Sequence, residues 1–410
     1  MLILQIIVAI IIVDFVLERI LSVLNQRNWS SEVPQEVKGI YPEEKYRTSQ
    51  QYKKENDRVG LISSTISFVV TLGMICFGGF AWVDDLVRGY FSNPIAVALV
   101  FFGIIMLASS IISLPVSWYS VFVIEQKYGF NRSTVKTFVL DLLKGALMSV
   151  IIGGGLLSLI MWIYQITTIN FWWMAWALVS AFTIFMTMFY SSLIVPLFNK
   201  QVPLEKGELR DAIEEFSKRV GFGLDNIFVM DGSKRSSKAN AYFSGLGSRK
   251  RIVLFDTLIN DLTTKEIVAV LAHEIGHYKK KHTLSGIFIS LLQMGLMFYL
   301  LGLFVGSPQL SEALGSSIPS FHLGLIAFGL LYSPLSTLMG VGMNVLSRSN
   351  EYEADAFAKE HYNGDDLASA LKKLSVNSLS NLTPHPAYVY VHYSHPTLLQ
   401  RLGKLAVSHK

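Results

Sequence analysis

Seven stretches of this chain stay apolar for about 20 residues, the length a helix needs to cross a bilayer. They are 2–24, 61–82, 94–116, 142–164, 172–196, 284–305 and 321–345. Between them the pattern turns polar twice for long enough to fold, at 197–283 and 346–410, together about 150 residues and so enough for one ordinary domain. The pattern predicts an α-helical polytopic membrane protein: 1–196 holds spans one to five, 197–283 the first part of a polar domain, 284–345 spans six and seven, and 346–410 its second part. A third polar segment, 25–60, contains Pro34 and Pro42 and reads as a cover or linker.

Within 197–283, "GELRDAIEEFSKRVGFG" has helical periodicity and stops at glycines, while "IFVMDGS" and "RKRIVLFD" read as short strands. "NAYFSGLGSRKRIVLFDTLI" predicts two strands joined by a glycine-containing turn. "DLTTKEIVAVLAHEIGHYKKKHT" follows, with Thr263 and Glu266 spaced as a capping box that satisfies two free amides at a helix start.

Charge changes the picture mainly by giving a direction. Only 16% of the residues are charged, against roughly 25% in an ordinary soluble domain. Lys and Arg favour the cytoplasmic side of short loops. Seven of them, from Arg27 to Arg58, follow span one, and Lys127, Arg132 and Lys136 follow span three. The loops after spans two, four and six hold Arg88 alone. This places the amino terminus outside, and 197–283 and the carboxyl terminus in the cytoplasm. The net charge of +5 is then a matter of topology, and no nucleic-acid partner is expected. The first run has no basic residue before it and no small-residue cleavage site after it, so it reads as a retained anchor. Asp14 and Glu18 fall in or at the end of that span, facing either a bundle interior or the membrane interface. The single cysteine, Cys76, has no partner for a disulfide or a cysteine metal site, and is expected to be a small buried hydrophobe.

The chemistry is concentrated in "HEIGH". His273 and His277 are four apart, so a helix stacks both imidazoles on one face, with Glu274 beside them. Three protein ligands and an open position let zinc lower the pKa of a water to about 7, while the adjacent carboxylate takes its proton. "SRSNEYEADAFAKEH" at 347–361 offers Glu351, Glu353 and Asp355 for the third ligand. Glu351 and Asp355 share a helix face and Glu353 points away from it. The reading therefore assigns Glu351 as ligand and Asp355 as the carboxylate that orients His273. His282, five residues past His277, falls off that face. With Lys279–Lys281 it reads as interfacial, where cations suit a helix end and an anionic membrane surface.

"LAHEIGH" and "LSRSNEYEADAFA", together with "FVIEQKYGFNRST" at 122–134, "PLFNKQVPLEKGELR" at 196–210, "SKRSSKANAYFSG" at 233–245 and "YSHPTLLQRL" at 393–402, resemble the type I CAAX prenyl protease family of integral-membrane zinc metallopeptidases. The likeness runs in order over nearly the whole chain. It implies seven helices enclosing a water-filled chamber, capped by a mainly α, gluzincin-type peptidase domain with a small β element. Asp14, Glu18, Asp141 and Lys144 would then face a wet interior. It also implies one Zn2+ per chain on His273, His277 and Glu351, with Glu274 as general base. His395 and Arg401 correspond to residues near the metal that stabilise the oxyanion, and Asn240 to one on an edge strand where an extended substrate can pair.

The expected activity is a membrane-embedded zinc endopeptidase acting on peptide or protein substrates within the lipid bilayer. Its role is either CAAX-type processing, in which eukaryotic members remove three residues after a prenylated cysteine, or quality control of membrane proteins. A bacterial member in the cytoplasmic membrane is favoured over one in the endoplasmic reticulum. Zinc is preferred to cobalt or manganese from the ligand types. The alternatives are a transporter with a structural metal site or an inactive scaffold; Glu274 argues against the first, since a structural site needs no free carboxylate and completes four protein ligands.

Overall fold

The computed structural model describes every residue except 31, 34, 36, 37, 40, 168, 169, 224, 225, 246–249 and 407–410. Pro34 and the turn expected between the strand pair lie outside the described residues. Among the described residues, six helices are long and apolar enough to cross a membrane: Glu43–Cys76, Pro94–Glu125, Val135–Ile166, Phe171–Phe198, His282–Phe304 and Phe321–His361. Leu2–Arg27 is a seventh of spanning length, with Asp14 at its middle and Glu18 and Arg19 in its second half.

These seven helices form a closed ring. In chain order each packs on the next, and Phe321–His361 returns to Leu2–Arg27. The apolar core that they share lies at one end. Ile7, Ile75, Val97, Phe101, Met161, Phe171, Phe298, Leu301 and Phe321 belong to one apolar core, drawn from the starts of helices one, three, five and seven and the ends of two, four and six. At the opposite ends the ring opens out, and Val135–Met148 contains no buried residue. A helix held in a ring with none of its residues buried faces lipid outward and a hollow inward, which is the chamber.

The closed end carries a buried charge cluster. Asp84, on the short helix Gly79–Arg88, is fully buried. It accepts a hydrogen bond from Arg88 Nε at 3.0 Å to both oxygens and lies 2.7 Å from His322 Nε2. Paired on both sides, the carboxylate ties that helix to the start of Phe321–His361.

At the open end sits the polar domain. Its sheet has the order β1-β2-β4-β3, from β1 (Gln201–Pro203), β2 (Ile227–Met230), β3 (Ala241–Ser244) and β4 (Arg251–Phe255). β1 and β3 run antiparallel to their neighbours and β2 parallel to β4, which leaves β3 on an edge. β1 has three residues and ends in a proline, too short to show alternation in the sequence. One hydrophobic core joins both polar stretches, from Leu204, Ile213 and Leu254 to Phe357, Leu367 and Leu405.

Three expectations need correction. The segment 25–60 is only partly linker, because 43–60 is the first half of a 34-residue helix. That half is a strut: Tyr52 hydrogen-bonds Glu125, and Lys238 Nζ reaches both, at 2.9 Å to Tyr52 and 2.9 Å to Glu125. Span two ends at Cys76, where Gly78 takes a left-handed conformation that a side chain would resist. Cys76 is exposed: it is the last residue of the helix, and its neighbour Ile75 is the one that enters the apolar core. The charged residues of the spans also have protein partners: Asp14 accepts from Ser333 Oγ at 3.1 Å, Glu18 lies 3.4 Å from His392, and Arg235 binds Asp141 at 2.7 and 2.8 Å. Lys144 donates to the Leu197 carbonyl at 2.7 Å.

Candidate active site

The helix Thr264–Lys279 carries the motif and is held at both ends. At its start the capping box forms, with Thr263 N donating to Glu266 Oε2 at 2.8 Å and Thr263 Oγ1 accepting from Glu266 N at 3.4 Å. Glu266 also accepts from Ser369 Oγ at 2.6 Å and Lys373 Nζ at 2.8 Å. Burial alone would raise its pKa, but Lys373, Ser369 and Thr263 outweigh burial and hold it at about 2.

Farther along, the motif helix crosses Phe321–His361 at Gly276. A Cβ there would stand 3.1 Å from Phe357 Cβ and 3.2 Å from the Ala354 backbone. The glycine lets two backbones approach closely, and Glu351 thereby faces His273 and His277. The long helix, roughly 60 Å at 1.5 Å per residue, runs unbroken from the membrane to this crossing.

The donor atoms converge. His273 Nε2 and His277 Nε2 are 3.1 Å apart, Glu351 Oε2 lies 3.5 Å from the first and Oε1 3.2 Å from the second. The three ligand atoms lie within 4.8 Å of one another. Glu351 Oε2 is buried without a hydrogen-bond partner among the described residues. A buried carboxylate that faces two imidazole nitrogens, with one oxygen left only an ion pair to Arg401 at 3.4 Å, fits a cation. Burial would lower His273, yet Asp355 and Glu351 push it up to about 9, so the pocket favours positive charge.

Asp355 lies behind the donors. Its Oδ1 is 2.9 Å from His273 Nδ1, and it accepts two hydrogen bonds from Arg401, Nη2 at 2.5 Å and Nε at 2.9 Å. Arg401 Nη1 is 3.4 Å from Glu351. Burial works against the guanidinium's charge and Asp355 outweighs it, so the Arg401 pKa is raised. His395 is two-thirds exposed, with Nε2 3.3 Å from Glu351 and Nδ1 3.0 Å from Ser394 Oγ. Asn240 sits just before β3, its backbone carbonyl accepting from Phe255 N at 3.0 Å. Asn240, His273, Glu274, His277, Glu351, His395 and Arg401 all line one cavity of about 240 Å³.

One residue was misplaced by sequence reasoning. His282 is not interfacial: its side chain is 9% exposed, and its Nδ1 lies 3.0 Å from His277 Nδ1. Glu353 does point away from the donors, but onto His282, at 3.3 Å. Helical spacing could not show this, because the helix is interrupted between His277 and His282.

Known proteins carry the same pattern. Residues 23–200 match the family model described as "CAAX prenyl protease N-terminal, five membrane helices", and residues 203–408 match peptidase family M48. CAAX prenyl protease 1 of Saccharomyces cerevisiae is 40% identical over 335 residues, 78% of this chain and 74% of that one. The Arabidopsis thaliana homologue is 36% identical over 378 residues, covering 90% and 89%. The human homologue is 33% identical over 423 residues, covering 92% and 89%. The crystal structure of S. mikatae Ste24p superimposes with a TM-score of 0.94 at 35% identity, covering 99% of each chain. These relatives are eukaryotic, so the expectation of a bacterial member has no support, and neither has a transporter. The chain belongs to peptidase family M48, as an integral-membrane metalloendopeptidase of the CAAX prenyl protease kind.

Proposed function

We propose that this protein is a zinc endopeptidase that trims the carboxyl terminus of prenylated CAAX-type proteins, its peptidase domain and carboxyl terminus in the cytoplasm. The observation that supports it most is the convergence of His273, His277 and Glu351 within 4.8 Å, in the cavity that also holds Glu274. In this reading His273, His277 and Glu351 hold one zinc ion. Bound there, zinc supplies Lewis acidity toward the scissile carbonyl and makes a water acidic enough to lose its proton near pH 7.

The chain's own groups do the rest. Glu274 accepts the water proton and delivers it to the leaving amine nitrogen, so the amide bond breaks without releasing a free amide anion. His395, open to the cavity, donates to the oxygen on which charge develops. Arg401 is spent on Asp355 and Glu351; it positions these carboxylates and adds positive charge behind the site. Asn240 opens the edge strand β3, whose free side accepts an extended peptide as an added strand. The prenylated substrate is supported by the names of the relatives.

The test is cleavage of a farnesylated CAAX peptide and its unprenylated twin by purified protein, with product ends mapped by mass spectrometry. Release of three carboxyl-terminal residues, with kcat/KM at least tenfold higher for the farnesylated peptide, is expected. Equal cleavage of both, or cuts at scattered positions, would overturn the CAAX role.

A further inference from the structure

The motif helix stops at Lys279, and a new helix begins at His282. Between them Lys281 adopts φ 61° and ψ 24°, a left-handed conformation shared by only one other non-glycine residue among those described. L side chains rarely take it, and when they do the surroundings hold them there. In an uninterrupted helix, residues five apart differ by about 140° in direction, so His282 would face away from His277. The left-handed residue brings it back. The two rings meet edge to face with centroids 5.1 Å apart, Nδ1 to Nδ1 at 3.0 Å.

The proton positions follow. His277 Nε2 points at Glu351 and His273, so its lone pair is the one available to a metal and its hydrogen sits on Nδ1. That hydrogen needs an acceptor, which makes His282 Nδ1 the bare nitrogen. His282 then carries its hydrogen on Nε2, facing Glu353 Oε2 at 3.3 Å. We infer that Glu353 and His282 form a relay that fixes the tautomer and orientation of His277, as Asp355 does directly for His273, and that the left-handed residue at 281 exists to build it. Both are positioning residues, and the inference rests on the reading of His273, His277 and Glu351 as zinc ligands. It also ties the metal site to the first residue of a membrane-spanning helix.

The test is zinc affinity, by competition with a chromogenic chelator, on full-length protein in detergent. His282→Ala is expected to raise the zinc Kd ten- to a hundredfold. His282→Gln, whose amide oxygen can accept the Nδ1 hydrogen, recovers most of the affinity. Glu353→Gln shifts the Kd in the same direction by less, and because Glu353 is half exposed it leaves the zinc-free melting temperature unchanged. Lys281→Gly binds as wild type, whereas Lys281→Val, which resists a positive φ, behaves as His282→Ala. Wild-type zinc affinity in both His282→Ala and Glu353→Gln would overturn the relay. A wild-type protein that binds no zinc would overturn the metal reading beneath it, and a failure of the peptidase role would show in cleavage alone.

Discussion

His273 and His277 each present Nε2 to one point, while Nδ1 is held from behind, by Asp355 in one case and His282 in the other. The Asp355–Arg401 pair is the more demanding of these supports. The carboxylate is 2% exposed and takes two charge-assisted hydrogen bonds from a guanidinium only 11% exposed. Removing one member leaves the other charged and buried, at a cost of about 3–5 kcal/mol. Asp355→Asn should therefore lower the melting temperature of the zinc-free protein and also weaken zinc binding. A variant that melts and binds as wild type would show that the pair does not hold the site. The four-residue spacing of His273 and His277, and the shared face of Glu351 and Asp355, were legible because an unbroken helix converts spacing into direction. His282 was not, because one left-handed residue changes the direction of everything after it. His395 and Arg401 come from a distant helix and loop, with no local pattern to mark them; only the family resemblance did.

At the scale of the element, the motif helix is set by its ends and its crossing. Glu266 serves the capping box and pairs with Lys373 of the helix Gly364–Asn377, so one carboxylate ties two segments more than 100 residues apart. Its folded pKa of about 2 lies below the ordinary 4.5. A depressed carboxylate stabilises fully above its unfolded pKa, and the contribution shrinks as pH falls from about 4.5 toward 2. The wild-type melting temperature should therefore fall more steeply than that of Glu266→Gln between pH 5 and 3. Parallel curves would show that Glu266 gains nothing from its partners. Thr263 and Glu266 announced this start in the sequence, three residues apart ahead of an apolar run. The extents of Glu43–Cys76 and Phe321–His361 were hidden, because both continue as polar helix once the apolar stretch ends, and hydropathy registers only the apolar part.

For the whole molecule, hydropathy marked seven spans but could not tell a lipid-facing side chain from one facing a hollow, since both are free of protein contact. The ring shows in the packing of Phe321–His361 against Leu2–Arg27 and in the one apolar core that residues of all seven helices share at one end. Cys76, expected inside and found exposed, belongs to the same ambiguity. The long helix then links the closed end, through His322 and Asp84, to Glu351, the proposed third ligand, at the other. The most direct measurement is zinc content and peptide cleavage on the same preparations of wild type and Glu274→Gln. The account predicts one zinc per chain in both and cleavage in wild type alone, reduced at least a thousandfold in the variant. Full cleavage by Glu274→Gln, or loss of zinc along with activity, would contradict the assignment of Glu274 as the base beside an intact metal site.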